Sequence, residues 1–232
     1  MAELGWRVEG WTASERPGPM VLEGRAARLE PLGPGHVADL FAANRLDDAI
    51  WAYLPYGPFA DAAEYGAWVA ENAGRADPLF FAVIDRSTGK AGGVMSLLRI
   101  APEAGTIEVG HICLSRGLQR TRAATEAIHL LAHWAFGAGY RRFEWKCDAL
   151  NRPSRRAAER FGFSYEGVFR QATVVKGRNR DTAWFAMIDR DWPCLEAAYR
   201  AWLDDGNFDA AGRQARSLRE LTAPCLAASD PG

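Results

Sequence analysis

The chain has 232 residues, of which 48% are hydrophobic and 25% charged, and its formal net charge is −1. These values predict one globular domain with extensions and exclude a low-complexity chain. No apolar run approaches the roughly 20 residues of a membrane span, and the N-terminus lacks the basic-then-apolar layout of a signal peptide, so we expect a cytoplasmic protein with no membrane partner.

The first half of the sequence predicts helices followed by a strand meander. A first strand is expected at Ala27–Leu32, with helices after Pro34 and after Asp47. The segment Asp61-Ala62-Ala63-Glu64 has the form of a capping box and predicts a helix to about Asn72. Turn residues separate three further strands, which suits an antiparallel meander; these are Leu79–Asp85, Ala91–Ile100 and Thr106–Ser115.

The second half alternates helices and strands. Apolar residues at positions 124, 128, 131 and 135 give the next helix one buried stripe, and two glycines end it. The elements that follow are a strand at Arg142–Leu150, a helix at Pro153–Phe161, and strands at Ser164–Val175 and Ala183–Ile188 around a loop at 176–181. This order predicts an α+β fold with a mixed sheet.

We expect three parts in the chain. Residues 1–24 form an N-terminal extension and residues 25–190 form the domain. Residues 191–232 carry an added helix and a polar tail, which are expected to pack on the domain or on a partner subunit. A homodimer is therefore left open.

The cysteine and histidine spacings do not indicate a metal site. The four cysteines, at positions 113, 147, 194 and 225, show no Cys-x-x-Cys spacing, so we expect reduced thiols. His129 and His133 have the i, i+4 spacing of metal ligands, but the segment lacks the Glu of a zincin and no third ligand is evident. We expect a surface or packing pair and no metal.

The charge is unevenly distributed along the chain. Residues 116–180 contain 14 Lys and Arg against 5 Asp and Glu, a net +9, which leaves −10 for the remainder. Such a basic region fits a polyanionic ligand, and nucleic acid would use the same feature. A merely solvated basic face is the third interpretation.

A short basic loop joins the Thr106–Ser115 strand to the following helix. It reads Gln119-Arg120-Thr121-Arg122-Ala123-Ala124, with the helix expected to start near Ala123. Free N–H groups and the positive end of the helix dipole make such a helix start an anion site. Arg120 and Arg122 add charges that bind phosphate. The loop predicts a phosphate-bearing cofactor.

A second short helix follows at residues 151–163. Asn151 is placed to cap it, Pro153 is tolerated in its first turn, and Gly162 ends it. Together the two segments resemble the GNAT superfamily of acetyl-coenzyme A dependent N-acyltransferases, and within it the Rim-type ribosomal-protein N-terminal acetyltransferases. The positions that match the superfamily's loop and its later helix are Gln119, Ala124, Asn151, Ser154, Gly162 and Phe163.

The resemblance implies a GNAT-type α+β domain whose twisted mixed sheet opens between the Thr106–Ser115 and Arg142–Leu150 strands, with acetyl-coenzyme A entering there. It also implies the cofactor-binding residues, which are Ile112, Cys113, Leu114, Gln119, Arg120, Thr121, Arg122, Ala123, Ala124, Asn151 and Ser154.

Two positions depart from the superfamily pattern. Arg122 replaces the usual central Gly of the loop, so phosphate binding is expected to lean on the Arg side chain. Ala158 stands where many of these enzymes have the Tyr that protonates the leaving thiolate. That role must fall to another group or to water.

The catalytic residues implied by the resemblance are Glu108, His111 and Ser154. Glu108 is the candidate base that takes the proton of the amine, and His111 is the alternative. Ser154 is the candidate donor to the thiolate, while a capping role shared with Asn151 is the structural alternative. Glu108 and Asp148 are expected to attract a cationic amine.

The expected reaction is acetyl transfer from acetyl-coenzyme A to a primary amine, with a protein N-terminus as one acceptor. Small amines, such as polyamines or amino sugars, are the second class of acceptor. A catalytically weak acyl-coenzyme A binding module is a third interpretation, prompted by Arg122 and Ala158. An RNA-binding protein is disfavoured because the aromatic RNP-type signature is missing.

Overall fold

The computed structural model describes residues 4–232, which form one mixed sheet of eight strands with helices on both faces. The strand order across the sheet is β1-β2-β3-β4-β5-β6-β8-β7. Only β5 and β6 pair in parallel; the other neighbours are antiparallel. The strands are β1 Leu22–Glu23, β2 Ala27–Pro31, β3 Leu79–Asp85, β4 Lys90–Ala101, β5 Thr106–Leu114, β6 Arg142–Asp148, β7 Ser164–Val175 and β8 Arg178–Ile188.

Six α-helices accompany the sheet in the described residues, and short 3-10 turns lie between some of them. Among residues 4–232, no helix combines the length and apolar character that a membrane span requires. The helices are α1 Val37–Asn44, α2 Ala62–Asn72, α3 Arg122–Gly137, α4 Arg152–Phe161, α5 Trp192–Leu203 and α6 Leu218–Thr222. The predicted α+β class with a mixed sheet is confirmed.

The prediction of a loop at 176–181 is wrong. The β7–β8 turn contains only Lys176 and Gly177, both with positive φ (47° and 73°), and Val175 pairs directly with Arg178. A two-residue turn with left-handed conformations matches the twist of a hairpin, so pairing continues to the turn itself. The polar residues 178–181 are therefore strand residues.

The two faces of the sheet carry separate hydrophobic cores. Side chains of β5 and β6 such as Ile107, Phe143 and Trp145 pack toward α3, α4 and α5. The other core joins strand residues to α1 and α2, and Cys113 belongs to it. The alternation of side chains along each strand thus decides which face a residue serves.

The sheet opens between β5 and β6. Their parallel pairing runs from Thr106–Arg142 to Val109–Trp145 and stops there, although β5 continues to Leu114. On its other edge β5 bulges against β4 at His111, whose φ is 51°. The last five residues of β5 therefore leave one edge of their backbone free beside the opening.

A buried carboxylate fixes the first long strand to α3. Glu126 is 5% exposed and accepts hydrogen bonds from three successive main-chain N–H groups, those of Arg25 (2.9 Å), Ala26 (2.5 Å) and Ala27 (2.7 Å). A side chain at Gly24 would collide with this carboxylate. Charge-assisted bonds of this kind stabilise more than neutral ones.

The C-terminal segment lies against α3 and α4. The Tyr199 hydroxyl of α5 donates to Phe161 O at 2.8 Å, and Ala228 O accepts from Tyr165 N at 3.1 Å. The segment thus covers both helices. The division of the chain at residues 24 and 190, and any partner subunit, stay predictions.

Two of the expected free thiols are bonded. Cys194 in α5 and Cys225 after α6 form a disulfide with a Cα–Cα distance of 5.8 Å, whereas Cys113 and Cys147 are free and buried. The 31-residue separation gave no spacing signal in the sequence, because only the packing of α5 against α6 brings the two residues together.

Replacing both Cys194 and Cys225 with Ser should lower the free energy of unfolding by about 3 kcal/mol, because the link restricts the unfolded chain over a long loop. Denaturant titration with and without reductant measures this. Reductant should destabilise the wild type and leave the double variant unchanged. Equal unfolding midpoints in all four samples would contradict the prediction.

Candidate functional site

The start of α3 presents free main-chain N–H groups. Thr121 caps the helix: its Oγ1 accepts from Ala124 N at 3.1 Å and donates to Leu118 O at 2.7 Å. No hydrogen bond within residues 4–232 engages the N–H groups of Arg120, Arg122 or Ala123. Arg120 has a φ of 63°, a conformation found in anion-binding backbone nests. The loop has the donors of an anion site.

The Arg122 side chain points to the C-terminal segment. Its Nη2 donates to Asp205 Oδ1 at 2.7 Å and to Leu203 O at 3.3 Å, and its guanidinium lies 4.0 Å from the centre of the Phe208 ring. The Arg122 guanidinium is also the main cause of the lowered pKa of Asp205. This conformation leaves the main-chain N–H of Arg122, rather than its side chain, at the loop.

Gln119 fastens the loop to the end of β5. Its Nε2 donates to Leu114 O at 2.9 Å, so that carbonyl already has a partner. Cys113 is 1% exposed in the core shared with α1 and α2, and burial raises the pKa of its thiol to about 12. A thiol in that state is a poor nucleophile. Cys113 pairs with Val94 of β4, so the main-chain groups of Ile112 are the ones that face the opening next to Leu114.

The first turn of α4 lies across the opening from the loop. Asn151 caps the helix by accepting from Ser154 N at 3.1 Å, and the Ser154 hydroxyl accepts from Trp145 Nε1 at 3.1 Å. The Ser154 hydroxyl also lies against the Cys147 thiol, whose pKa is raised to about 11 chiefly by burial. Ser154 keeps its own proton to donate. Ala158 is fully buried, so its position offers no polar group.

Glu108 is buried and held by two cations. It is 2% exposed; Arg99 Nη1 lies 2.6 Å from Oε1 and Lys146 Nζ lies 2.9 Å from Oε2. The contact with Lys146 is an ion pair without the alignment of a hydrogen bond, so Oε2 keeps an open acceptor site. Burial raises the pKa of the carboxyl, against the opposing charges of Lys146 and Arg99.

His111 stands at the bulge of β5, inside an aromatic wall. Its Nδ1 is 3.2 Å from the Tyr56 hydroxyl, and its ring lies 5.6 Å from that of Tyr56 and 5.0 Å from that of Phe80. Burial lowers the pKa of His111 to about 4, helped by the charges of Arg99 and Arg180. The imidazole is therefore neutral near pH 7.

Sequence reasoning missed a group of polar residues around the opening: Tyr56, Arg99, Lys146, Arg180 and Trp184. Strand register brings three of them to the face of Glu108, since Glu108 pairs with Glu144 and Lys146 pairs with Trp184. The alternation of side chains in β6 and β8 could have predicted that these residues share one face of the sheet. It was missed because residues 176–181 were predicted to form a loop.

The i, i+4 histidine pair has an acidic residue, Glu196, beside it as a third potential ligand. His129, His133 and Glu196 place one potential ligand atom each within 4.8 Å of one another, and the sequence of α3 alone does not reveal the carboxylate of Glu196, which lies in α5. His133 Nδ1 is 3.0 Å from Glu196 Oε1, which also accepts from Arg200 at 2.9 Å. The Glu196 carboxylate is thus engaged by two side chains.

Comparison with known proteins identifies the domain. Residues 27–164, more than half of the chain, match the sequence profile of the acetyltransferase (GNAT) domain. A GCN5-related N-acetyltransferase from Brucella melitensis superimposes with a TM-score of 0.91 at 47% identity, over 93% of this chain and 100% of that one. The resemblance carried by the loop and the second helix is confirmed.

Two further relatives bear on the reaction. A protein described as a probable acetyltransferase (GNAT family) from Chromobacterium violaceum ATCC 12472 superimposes with a TM-score of 0.77 at 41% identity, over 83% of this chain and 98% of that one. The ribosomal-protein-serine acetyltransferase of Escherichia coli (strain K12) is 34% identical over 97 residues, which are 41% of this chain and 54% of that protein.

The pH dependence of stability should report the buried His111. The unfolded imidazole binds a proton below about pH 6.5, whereas the folded one does so only near pH 4. Stability should therefore fall as pH drops from 6.5 to 4, by at most about 1.4 kcal/mol per pH unit for this group. Denaturant titrations of wild type and His111→Phe across this range should give a shallower slope for the variant; equal slopes would contradict the assignment.

Proposed function

This chain belongs to the acetyltransferase (GNAT) family, and on that premise we propose that it transfers the acetyl group of acetyl-coenzyme A to a primary amine, with a protein N-terminus as the acceptor. One observation carries the proposal. Free N–H groups at the start of α3 adjoin the opening between β5 and β6, and Glu108 lies on the wall of that opening.

The residues present fit a phosphate-bearing acyl donor. The N–H groups of Arg120, Arg122 and Ala123 would hold its pyrophosphate, and the Arg120 side chain adds a positive charge. The free backbone edge at Ile112 would hold the extended arm that follows. When bound, acetyl-coenzyme A supplies an activated thioester.

Glu108 is the proposed proton acceptor for the amine. Its raised pKa makes the carboxylate a stronger base than an exposed one, and Oε2 has an acceptor site to spare. His111 is the weaker candidate, since a pKa of about 4 describes a poor base near neutrality. Glu108 also lies on the strand that leads directly to the acyl-donor loop.

Ser154 is the proposed hydrogen-bond donor to the leaving thiolate. Asn151 occupies the capping role at the Ser154 N–H, and the Ser154 hydroxyl accepts from Trp145 Nε1, so its proton remains to be donated. The first turn of α4 adds the positive end of a helix dipole, which favours an anion there. Ala158 carries no side-chain group that would compete for this role.

A protein N-terminus is favoured as acceptor by the similarity to a ribosomal-protein-serine acetyltransferase. Small amines are the second candidate class. A weak acyl-coenzyme A binding module is the third functional alternative. It would bind acetyl-coenzyme A without acetylating an amine, whereas both enzyme classes would turn it over.

Arg120→Glu should weaken coenzyme A binding more than tenfold, about 1.4 kcal/mol, because it replaces a cation beside the N–H groups of the loop with an anion. Isothermal titration calorimetry measures the affinity. Lys90→Glu makes the same charge change at the exposed first residue of β4 and should bind like the wild type. Equal affinities of both variants would remove the loop from this account.

Acetyl transfer to a library of peptides and small amines, followed by product mass spectrometry, tests the function itself. Glu108→Gln should lower kcat/KM near neutral pH, with the loss shrinking as pH approaches the pKa of the acceptor amine, where free amine becomes abundant. Glu144→Gln removes a carboxylate from the same ion-pair chain, one strand away, and should keep the wild-type acidic limb. A wild-type profile in Glu108→Gln would reject Glu108 as the base.

A further inference from the structure

The face of the sheet that carries Glu108 holds a chain of alternating charges. Ion pairs of 2.6 to 2.9 Å join its first members, and Arg142 then pairs with Glu166. In order, the chain runs through Arg99, Glu108, Lys146, Glu144, Arg142 and Glu166. Three cations balance three anions, so this network is electrically complete without a ligand.

Arg180 is a cation on the same face that the network leaves out. No carboxylate within residues 4–232 lies in ion-pair distance of its guanidinium. Its Nε atom is buried and has no hydrogen-bond partner in this part of the chain. A buried charged donor without a partner is costly, and such groups commonly meet their partner in a ligand.

A second unpaired donor lies on the same face of β8. Trp184 Nε1 is also buried and without a hydrogen-bond partner among the described residues. Residues 180, 182 and 184 share one face of β8, which places the two residues about 13 Å apart along the strand at the backbone. Lys146 Nζ lies 3.8 Å from the centre of the Trp184 ring and holds the indole in place.

Thr182, two residues from Arg180 along β8, pairs with Asp148 at the end of β6, so Arg180 lies at the end of the sheet toward which β5 and β6 diverge. Its charge acts on both His111 in β5 and Cys147 in β6, the two strands that diverge. Arg99 acts on His111 as well, so the imidazole has positive charge near it from two strands. The surroundings of Glu108 therefore favour an anion at a short distance from the reacting amine.

We propose that Arg180 binds a carboxylate of the acceptor, so that the preferred acceptor is an amine whose own molecule carries a carboxylate near it. This inference rests on the proposed function. The ammonium end would face Glu108 Oε2, and the carboxylate end would face the guanidinium, which suits planar bidentate recognition.

The proposal changes the expected charge of the acceptor. Asp148, first expected to attract a cationic amine, accepts from Leu150 N at 2.9 Å and stabilises the turn after β6. With Glu108 already neutralised by two cations, little net negative charge remains to attract a polyamine. Like charges on Arg99 and Arg180 would oppose its binding.

Matched pairs of acceptors test the inference: amino acids and short acidic peptides against their amides, assayed by release of free coenzyme A thiol. Wild type should prefer the carboxylate member by roughly 10- to 100-fold in kcat/KM. Arg180→Met should abolish that preference by lowering kcat/KM for the carboxylate members far more than for the amides, while Arg180→Lys should restore part of it. The effect should appear mainly in KM.

Arg178→Met is the control, because it removes the same charge from an exposed position of the same strand and should retain the wild-type preference. Equal rates for both members of each pair in wild type would overturn the inference while leaving the proposed function intact. Preference retained in Arg180→Met would overturn it too. Failure of the proposed function is distinguishable, since no amine would then be acetylated although coenzyme A binds.

Discussion

The separation of β5 from β6 is the constraint on which the site depends. Two parallel strands that stop pairing after Val109 and Trp145 expose backbone N–H and C=O groups that a folded chain normally satisfies. Gln119 satisfies one of them at Leu114 O, and the bulge at His111 redirects the strand. The remaining groups form a ready edge for an extended ligand. In the proposed function, the extended arm of the donor would bind to this incomplete sheet edge rather than to a special set of side chains.

Buried carboxylates supply the second organising element, and each has a different partner. Glu126 binds three main-chain N–H groups and joins β2 to α3. Glu108 is surrounded by cations and stays near the opening with one acceptor site to spare. A carboxylate that is held entirely by fixed N–H groups contributes to stability alone, whereas one with an open acceptor site is available for proton transfer.

The sequence predicted well what depends on local chemistry. Strand and helix bounds such as Leu79–Asp85 and the Asp61 cap are read from neighbouring residues, and they agree with the structure. The Cys194–Cys225 disulfide and the Arg122–Asp205 ion pair were not predicted, because each joins segments that only tertiary packing brings together. The position of Arg180 in a strand was not predicted for another reason. Its hairpin is polar and resembles a loop in sequence unless the two-residue turn is recognised.

The ammonium of Lys176 has a consequence for the shape of substrates. It donates to three carbonyls across the opening, those of Trp51 (3.2 Å), Tyr56 (3.3 Å) and Gly57 (2.8 Å). Tyr56 in turn contacts His111. Contacts therefore run from β5 through β6 and β8 to the β7–β8 turn at Lys176. From there they continue through residues 51–57 back to His111 in β5, so these segments form a closed ring. A chain that passes through a ring is limited by its width and not by its length. Under the proposed function, the acceptor amine would therefore have to enter this ring on an extended end and not on a folded surface.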